Sequence, residues 1–354
     1  MFLEDPAARH RIGCALDRVL TSRGSLLESP PGLMPVKSQL MEPLENRSLL
    51  NFWTPRYWFT WIVYGWMRGI VYLPFDWQLW LGRRLGRALH FVLYPKRRIA
   101  ERNLAACFPE LSESERVELR KKHFEAIGIS VGEMSMAWFG SKERVRNLVR
   151  VEGEENLSDA LAKGKGVILF SAHLTTFEYF FPALEQICPH ISAMYRSQKN
   201  EMMNVIMTRG RRRGIDKLFP KDSVREMVRS LADNSAVWYA ADQSYRRKYS
   251  ALVPFFNVPA MTNTATSRLA KMSGATVLPY FGRRLPDDSG YVLNIGEPLD
   301  DFPSDDLAED TARLMGALED YVRQCPEQYC WIHQRFKGRP PPYPDIYQTQ
   351  KQSD

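Results

Sequence analysis

Histidine and cysteine are scarce in this 354-residue chain, at six and five residues, and what they fail to form narrows the chemistry. Cys14, Cys107, Cys188, Cys325 and Cys330 are odd in number and scattered. Only Cys325 and Cys330 lie close together, with no second pair or clustered histidine to complete a metal site, so no metal is expected and the thiols read as reduced and cytosolic. A serine hydrolase would carry a Gly-x-Ser-x-Gly turn after a strand, and FSAH lacks the flanking glycines. A P-loop and a dinucleotide fingerprint are also missing, so no nucleotide cofactor is expected. The first residues, MFLEDPAARHRIGCALDRVL, lack a basic start followed by an uninterrupted apolar run, so no cleavable signal peptide is expected. No internal repeat is found. Residues 1–50 are polar and carry Pro30, Pro31, Pro35 and Pro43; they read as a disordered extension, with Met34 and Met41 as alternative starts.

What is present is apolar enough to fold: 44% of the residues are hydrophobic and 25% charged, which suits one main globular domain plus an appendage. The net charge of +7 suits anionic lipid, nucleic acid or an acidic protein alike. Nucleic acid is disfavoured because the aromatics cluster in one segment instead of interleaving with the basic residues. That segment carries Trp53, Trp58, Trp61, Trp66, Trp77 and Trp80, and Tyr57 to Leu73 is apolar or aromatic save for a few positions such as Thr60 and Arg68. Residues 51–75 are therefore expected to be a membrane anchor helix, either a tilted span or a helix lying in the interface. Arg68 opposes a span by roughly 3 kcal/mol. The basic residues that follow (Arg83, Arg84, Arg87, Lys96, Arg97, Arg98) place the downstream domain on the cytoplasmic face of the membrane.

Residues 76–345 read as the main domain. RIAERNLAACFPE and SESERVELRKKHFEAIGISVGEMSMAW are helical, the second opened by a capping box of Ser112 and Glu115. From Val151, short apolar strands (GVILFSAH, ISAMYR, AVWYAADQ, TVLPYFGRRL) alternate with amphipathic helices (TTFEYFFPALEQI, VREMVRSLADN, SRLAKMSG). The expected fold is α/β, a mainly parallel sheet flanked by helices, with an N-terminal membrane helix. LAEDTARLMGALEDYVRQCPEQ reads as a last helix, and residues 346–354 as a loose tail.

In such sheets chemistry gathers at the carboxyl ends of strands, which points to Ser171, Ala172 and His173 after GVILF. Glu178 stands five positions after His173. A carboxylate there can hold one imidazole nitrogen while the other takes a proton from a substrate hydroxyl. Spacing alone carries little, because six histidines and 41 acidic residues give about 0.7 such pairs by chance, and a histidine after a strand is commonly a packing or capping residue.

The context of this pair resembles a known family. From about Trp53 to Tyr347 the ordered blocks HLTTFE, AMYR, RGRRRGID, VWYAADQSYRRK, VPFFNVPAMTNTATSRLAKMSGATVLPYFGRR and PEQYCWIHQRFKGRPP are similar to the late acyltransferases of lipid A biosynthesis, within the lysophospholipid acyltransferase superfamily. The resemblance implies a glycerolipid-acyltransferase-like fold in the bacterial inner membrane. It implies transfer of a fatty acyl chain from an acyl carrier protein thioester to the hydroxyl of a 3-hydroxyacyl chain on a lipid A precursor of the Kdo2-lipid IVA type. The family's signature, a histidine, four residues and an acidic residue, falls on His173 and Glu178 as the catalytic pair. Ala172 before the histidine and Glu178 at the end suit the lipid A branch over the glycerolipid branch. Where these enzymes often read Asp-Gln-Asp-Tyr-Gly, this chain has Asp242, Gln243, Ser244, Tyr245 and Arg246, losing an acid and gaining a base, which puts acceptor binding there in doubt.

Within this reading, Arg196 at the end of the next strand is the expected oxyanion donor, in competition with a surface ion pair and with backbone N–H groups near Thr175. Asp242 and Gln243 are expected to bind acceptor hydroxyls or orient basic residues, with helix capping by Asp242 as the alternative. Arg209, Arg211, Arg212 and Arg213 are expected to meet lipid phosphate or an acidic carrier protein, against a merely solvated face. The rival functions are acylation of a lysophospholipid and a non-catalytic membrane lipid-binding protein; the latter requires His173→Ala to leave function intact.

Overall fold

The computed structural model describes residues 46–348 apart from 222 and 247, all within the unit Leu44–Asp354. The expected disordered extension therefore lies outside the described residues up to position 45, as do residues 349–354 of the tail. In chain order the helices are α1 (Trp58–Ile70), α2 (Phe75–Val92), α3 (Tyr94–Cys107), α4 (Glu113–Phe139), α5 (Lys142–Arg146), α6 (Glu154–Ala162), α7 (Phe181–Ile187), α8 (Glu201–Arg211), α9 (Val224–Ala232), α10 (Ala265–Ser273) and α11 (Leu307–Gln324). The strands are β1 (Val149–Glu152), β2 (Val167–Ser171), β3 (Ile191–Tyr195), β4 (Lys217–Pro220), β5 (Ala236–Ala240), β6 (Ser250–Phe255), β7 (Val258–Asn263), β8 (Thr276–Arg284) and β9 (Tyr291–Ile295).

Seven strands form one sheet in the order β1-β9-β8-β2-β5-β3-β4, and β6–β7 is a separate hairpin. Only β8 and β9 pair antiparallel within the large sheet; the other neighbours are parallel. The mainly parallel α/β sheet expected from the strand–helix alternation is thus present. Central β2 is buried at every residue, which is why it reads as a continuous apolar run without alternation. Ile168, Phe170, Val237 and Val277 pack with α9, α10 and α11 through Met227, Leu231, Leu269, Leu314 and Leu318. Val167, Leu169, Trp238 and Leu278 belong to a second cluster with α6 and α7, through Leu157, Phe181 and Leu184.

The capping box forms as expected: Glu115 N–H donates to Ser112 Oγ at 3.3 Å and Ser112 N–H to Glu115 Oε2 at 2.7 Å. The long helix α4 carries α2 at very close range. A Cβ on Gly128 would stand 2.1 Å from the Gly82 carbonyl oxygen and 2.3 Å from the Gly86 nitrogen, so the two backbones touch through glycine. Gly128→Ala is expected to cost at least about 1–3 kcal/mol in chemical denaturation, because backbone on both sides must move.

The membrane-spanning helix does not form. Helix α1 has 13 residues, roughly 20 Å at 1.5 Å per residue, against a hydrocarbon layer of about 30 Å. Tyr72 and Leu73 lead into Pro74, and the chain turns into α2. Among the described residues no helix is long and apolar enough to cross a membrane. Met67 and Ile70 face the protein, while Trp58, Phe59, Ile62 and Trp66 are exposed. The tail also differs from expectation at its start: Ile346 and Tyr347 pack against the core, and Phe336 N–H donates to the Tyr347 hydroxyl at 3.0 Å.

Candidate active site

His173 stands two residues beyond β2, and Asp242 two residues beyond β5. The register pairs Ser171 with Ala240, so continuing both strands by two residues sets His173 opposite Asp242. The imidazole Nδ1 and Asp242 Oδ1 are 2.6 Å apart, and the His173 backbone N–H donates to Asp242 Oδ2 at 3.1 Å. One carboxylate therefore fixes both ring and main chain. The His173 side chain is 33% exposed and that of Asp242 only 2%, so the imidazole faces outward and its partner is sealed behind it.

Burial opposes charge on both groups, and their pairing overcomes it. Asp242 is held down to about 2, chiefly by the charge and hydrogen bonds of His173. His173 is raised above the ordinary histidine value because the Asp242 carboxylate outweighs desolvation, with the Arg211 guanidinium pulling the other way. An Nδ1–H held by Asp242 leaves Nε2 as the free basic nitrogen.

Glu178 is not the carboxylate on the imidazole. The chain runs Leu174–Thr175–Thr176 into a 3-10 turn, Phe177–Phe180, instead of starting an α-helix at Thr175, and the buried Glu178 turns to other partners. Arg211 donates to Glu178 Oε1 through Nε at 2.8 Å and through Nη2, and Trp138 Nε1–H donates to Oε2 at 3.1 Å. Arg211 also lies over the Phe177 ring, 5.8 Å from its centroid, and Phe177 stacks on Trp238 at 5.5 Å and meets His173 edge-on at 6.2 Å. Glu178 thus anchors a cation beside the histidine. Gly210 permits this, since a Cβ there would meet the Trp138 ring at 2.3 Å.

The other expected residues spread out. Arg196 is exposed beyond β3, and Gln243 is exposed next to Asp242. Arg209 Nη2 donates to the Arg47 carbonyl at 2.7 Å, Arg212 Nη1 to the Asp216 carbonyl, and Arg213 Nη2 to the Gly140 carbonyl at 2.6 Å. The basic run is therefore the end of α8 and the turn after it, with Arg211 turned toward the histidine and Arg212 outward. Trp138 and Tyr329 were missed by sequence reasoning. The Tyr329 phenol is buried against Asp242, and burial and that carboxylate's charge push its pKa well up. Cys107, Cys188 and Cys325 are buried and free, and Cys330 is free and partly buried. Among the described residues no cluster of His, Cys, Asp and Glu is suited to a metal ion.

The family profile described as bacterial lipid A biosynthesis acyltransferase matches residues 47–338. The lipid A biosynthesis lauroyltransferase of Escherichia coli (strain K12) is 37% identical over 294 residues, covering 83% of this chain and 96% of that protein. The palmitoleoyltransferase of the same organism is 36% identical over 291 residues, covering 82% and 94%. Its myristoyltransferase is 27% identical over 292 residues, covering 82% and 90%. With matches of this identity running through the strands that carry His173 and Asp242, the chain belongs to the bacterial lipid A biosynthesis acyltransferase family and is an acyltransferase.

Proposed function

We propose that this enzyme moves a fatty acyl chain from an acyl carrier protein thioester to the hydroxyl of a 3-hydroxyacyl chain on a lipid A precursor of the Kdo2-lipid IVA type, with His173 as general base. The observation that carries the mechanism is the 2.6 Å contact of His173 Nδ1 with a sealed Asp242. Nε2 of His173 takes the proton of the acceptor hydroxyl as its oxygen attacks the thioester carbonyl. The tetrahedral intermediate collapses with loss of the thiolate, which receives that proton from the imidazolium. No covalent acyl-enzyme is needed. Arg211, beside the imidazole and locked by Glu178, is a better placed oxyanion stabiliser than exposed Arg196. Glu178 then acts as the residue that positions Arg211. Arg212 and Arg196 are suited to anionic headgroup or carrier contacts. Incubating the purified enzyme with acyl carrier protein thioesters of graded length and a tetra-acylated precursor, read by mass spectrometry, tests this. A penta-acylated product supports it, and transfer to lysophospholipid alone refutes the acceptor.

Because Asp242 raises His173, kcat/KM is expected to rise with pH through a pKa above the ordinary histidine value of about 6.5. The sign follows from the role: a base must be unprotonated, so activity is lost on the acid side. A pH–rate profile between pH 5 and 9, in the assay's own terms, checks this.

The substrate lies in a bilayer, and we assign α1 and α2 as the surface that meets it, at the cytoplasmic face of the bacterial inner membrane. Phe59, Tyr72 and Phe91 are 76%, 78% and 75% exposed, in company with Trp53, Trp58, Ile62, Trp77 and Trp80. Arg84 stands over Trp80, and Arg97 over Tyr94, a pairing suited to an anionic interface. Replacing Phe59 and Ile62 together by serine is expected to weaken binding to anionic phospholipid vesicles at least about tenfold, since each buried side chain contributes about 1.5–3 kcal/mol. Unchanged co-sedimentation would show that this surface does not meet the membrane.

A further inference from the structure

The segment from Glu327 to His333 belongs to no strand of the sheet, yet it lies along the His173 loop as if it were one. Thr175 N–H donates to the Gln328 carbonyl at 2.7 Å and Cys330 N–H to the His173 carbonyl at 3.1 Å, bracketing an antiparallel bridge between Leu174 and Tyr329. Between these two bonds sits Tyr329, whose phenol rests against Asp242. One short stretch of chain therefore touches the histidine's main chain on one side and the histidine's carboxylate on the other.

An irregular buried segment leaves its carbonyls without ladder partners, and each needs a donor. Here the donors are buried side chains from distant parts of the chain. Asn103 of α3, fully buried, donates Nδ2–H to the carbonyls of Trp331 and His333, both at 2.7 Å. His123 of α4, also fully buried, holds the Glu327 carbonyl from Nδ1 at 3.0 Å; burial keeps it neutral, with a pKa near 4. Gln328, 2% exposed, accepts from Arg284 N–H at 2.8 Å and returns Nε2–H to the Arg284 carbonyl at 3.0 Å. Trp331 Nε1–H closes the segment on itself through the Pro326 carbonyl at 2.6 Å. A tail that only needed packing would be held by apolar contacts. Side chains hold this one at three of its own carbonyls, and its Gln328 amide bonds the Arg284 main chain, which fixes its position along the loop and not only its distance from the core.

We propose that Glu327–His333 is a splint that sets the position of His173 against Asp242, and that Gln328 and Asn103 are positioning residues for that pair though neither touches the reacting atoms. This rests on the reading of His173 as the base. The geometry it protects is tight, since a displacement of about 1 Å at a reacting group can cost about 100-fold in rate.

The test uses the full-length enzyme and two variants, Gln328→Met, which keeps the length but loses both amide bonds, and Asn103→Ser, which loses the forked donor. The first readout is the proton NMR resonance of the His173 Nδ1–H that the bond to Asp242 calls for, assigned by its disappearance in His173→Ala. A 2.6 Å bond to carboxylate should place it far downfield and protect it from exchange. In each folded variant, judged by circular dichroism, the resonance is expected to move upfield or broaden. Turnover is expected to fall about 100-fold with KM for both substrates within about twofold. Gln328→Glu, which keeps the acceptor, should recover part of both. A folded variant with the wild-type resonance and wild-type turnover overturns the splint, as does lost turnover with the resonance unmoved. If Gln328→Met does not fold, Asn103→Ser decides. If the wild type transfers no acyl chain at all, the function proposed above fails while the resonance still reports on the splint.

Discussion

Asp242→Asn is expected to reduce turnover by about 10³–10⁴-fold while leaving the protein folded. An asparagine can present either an acceptor or a donor to Nδ1. It cannot hold the Nδ1–H tautomer as a carboxylate does, nor stabilise the imidazolium that the proposed proton transfer to His173 would form. The main-chain bond from His173 N–H to Asp242 Oδ2 would persist in part, so the loop should stay in place and the loss should fall on kcat. Glu178→Gln is expected to lose far less, because the amide still accepts from Arg211 or Trp138 and the histidine keeps its own partner. The ranking is the informative part: a catalytic pair made of His173 and Glu178 would reverse it. Asp242 also links the site to acid stability. Its carboxyl is depressed to about 2, so its contribution is complete above the unfolded value near 3.9 and is lost as the pH falls through that window. Asp242→Asn should flatten acid unfolding there.

Arg284→Met is expected to destabilise the protein by about 3–5 kcal/mol. Arg284 Nη1 donates to Glu133 Oε1 at 2.6 Å, with side-chain exposures of 7% and 3%, and the Tyr291 hydroxyl donates to the same oxygen at 3.0 Å. Burial already pushes the Glu133 carboxyl up, with Arg284 the chief force drawing it back. Without the arginine, Glu133 remains inside unpaired, and its folded pKa climbs further above the unfolded value. A carboxyl raised in this way costs nothing below its unfolded pKa, and the penalty grows as pH rises from there. The deficit of the variant should therefore shrink between pH 7 and pH 4 in urea denaturation. Adding Glu133→Leu should restore much of the loss at pH 7. A pH-independent deficit would show that lost packing, not the stranded charge, is responsible.

The pattern of short apolar strands and amphipathic helices was legible from Val151 onward, and so were α3, α4 with its capping box, and α11. Strand β2 reads from composition because it is apolar throughout. Strand β1 does not, because VRVE is short and half polar, and its parallel pairing with β9 joins residues 142 positions apart (Val149 with Tyr291). The run EMMNVIMTRGR is helix α8, yet its arginines dominate the reading and hide the apolar face of Met202, Val205 and Ile206. The expectation of a span misled for a related reason. Counting apolar residues cannot see that the chain breaks at Tyr72–Pro74, though Pro74 itself was the signal.

The site was half legible for a specific reason. His173, Glu178, Asp242 and the arginine run were all identified, but which carboxylate meets the imidazole depends on strand order. GVILFSAH and AVWYAADQ each carry a polar residue two positions past the strand, His173 and Asp242, and that parallel is visible in the sequence. That the two strands are neighbours, in register, is not. Local spacing favoured Glu178, and a 3-10 turn in place of an α-helical one sent it instead to Arg211 and Trp138. Tyr329 and the splint were hidden because the bonds that lay them along the His173 loop are main-chain ones across more than 150 positions, which side-chain identity does not announce.

Single-turnover acyl transfer by His173→Ala tests most directly whether His173 takes the acceptor's proton. Enzyme in excess over an acyl carrier protein thioester, with saturating tetra-acylated lipid A precursor, isolates the chemical step from product release. A loss of several orders of magnitude, with thioester binding retained, is the result expected. Transfer by His173→Ala at the wild-type rate would contradict the mechanism.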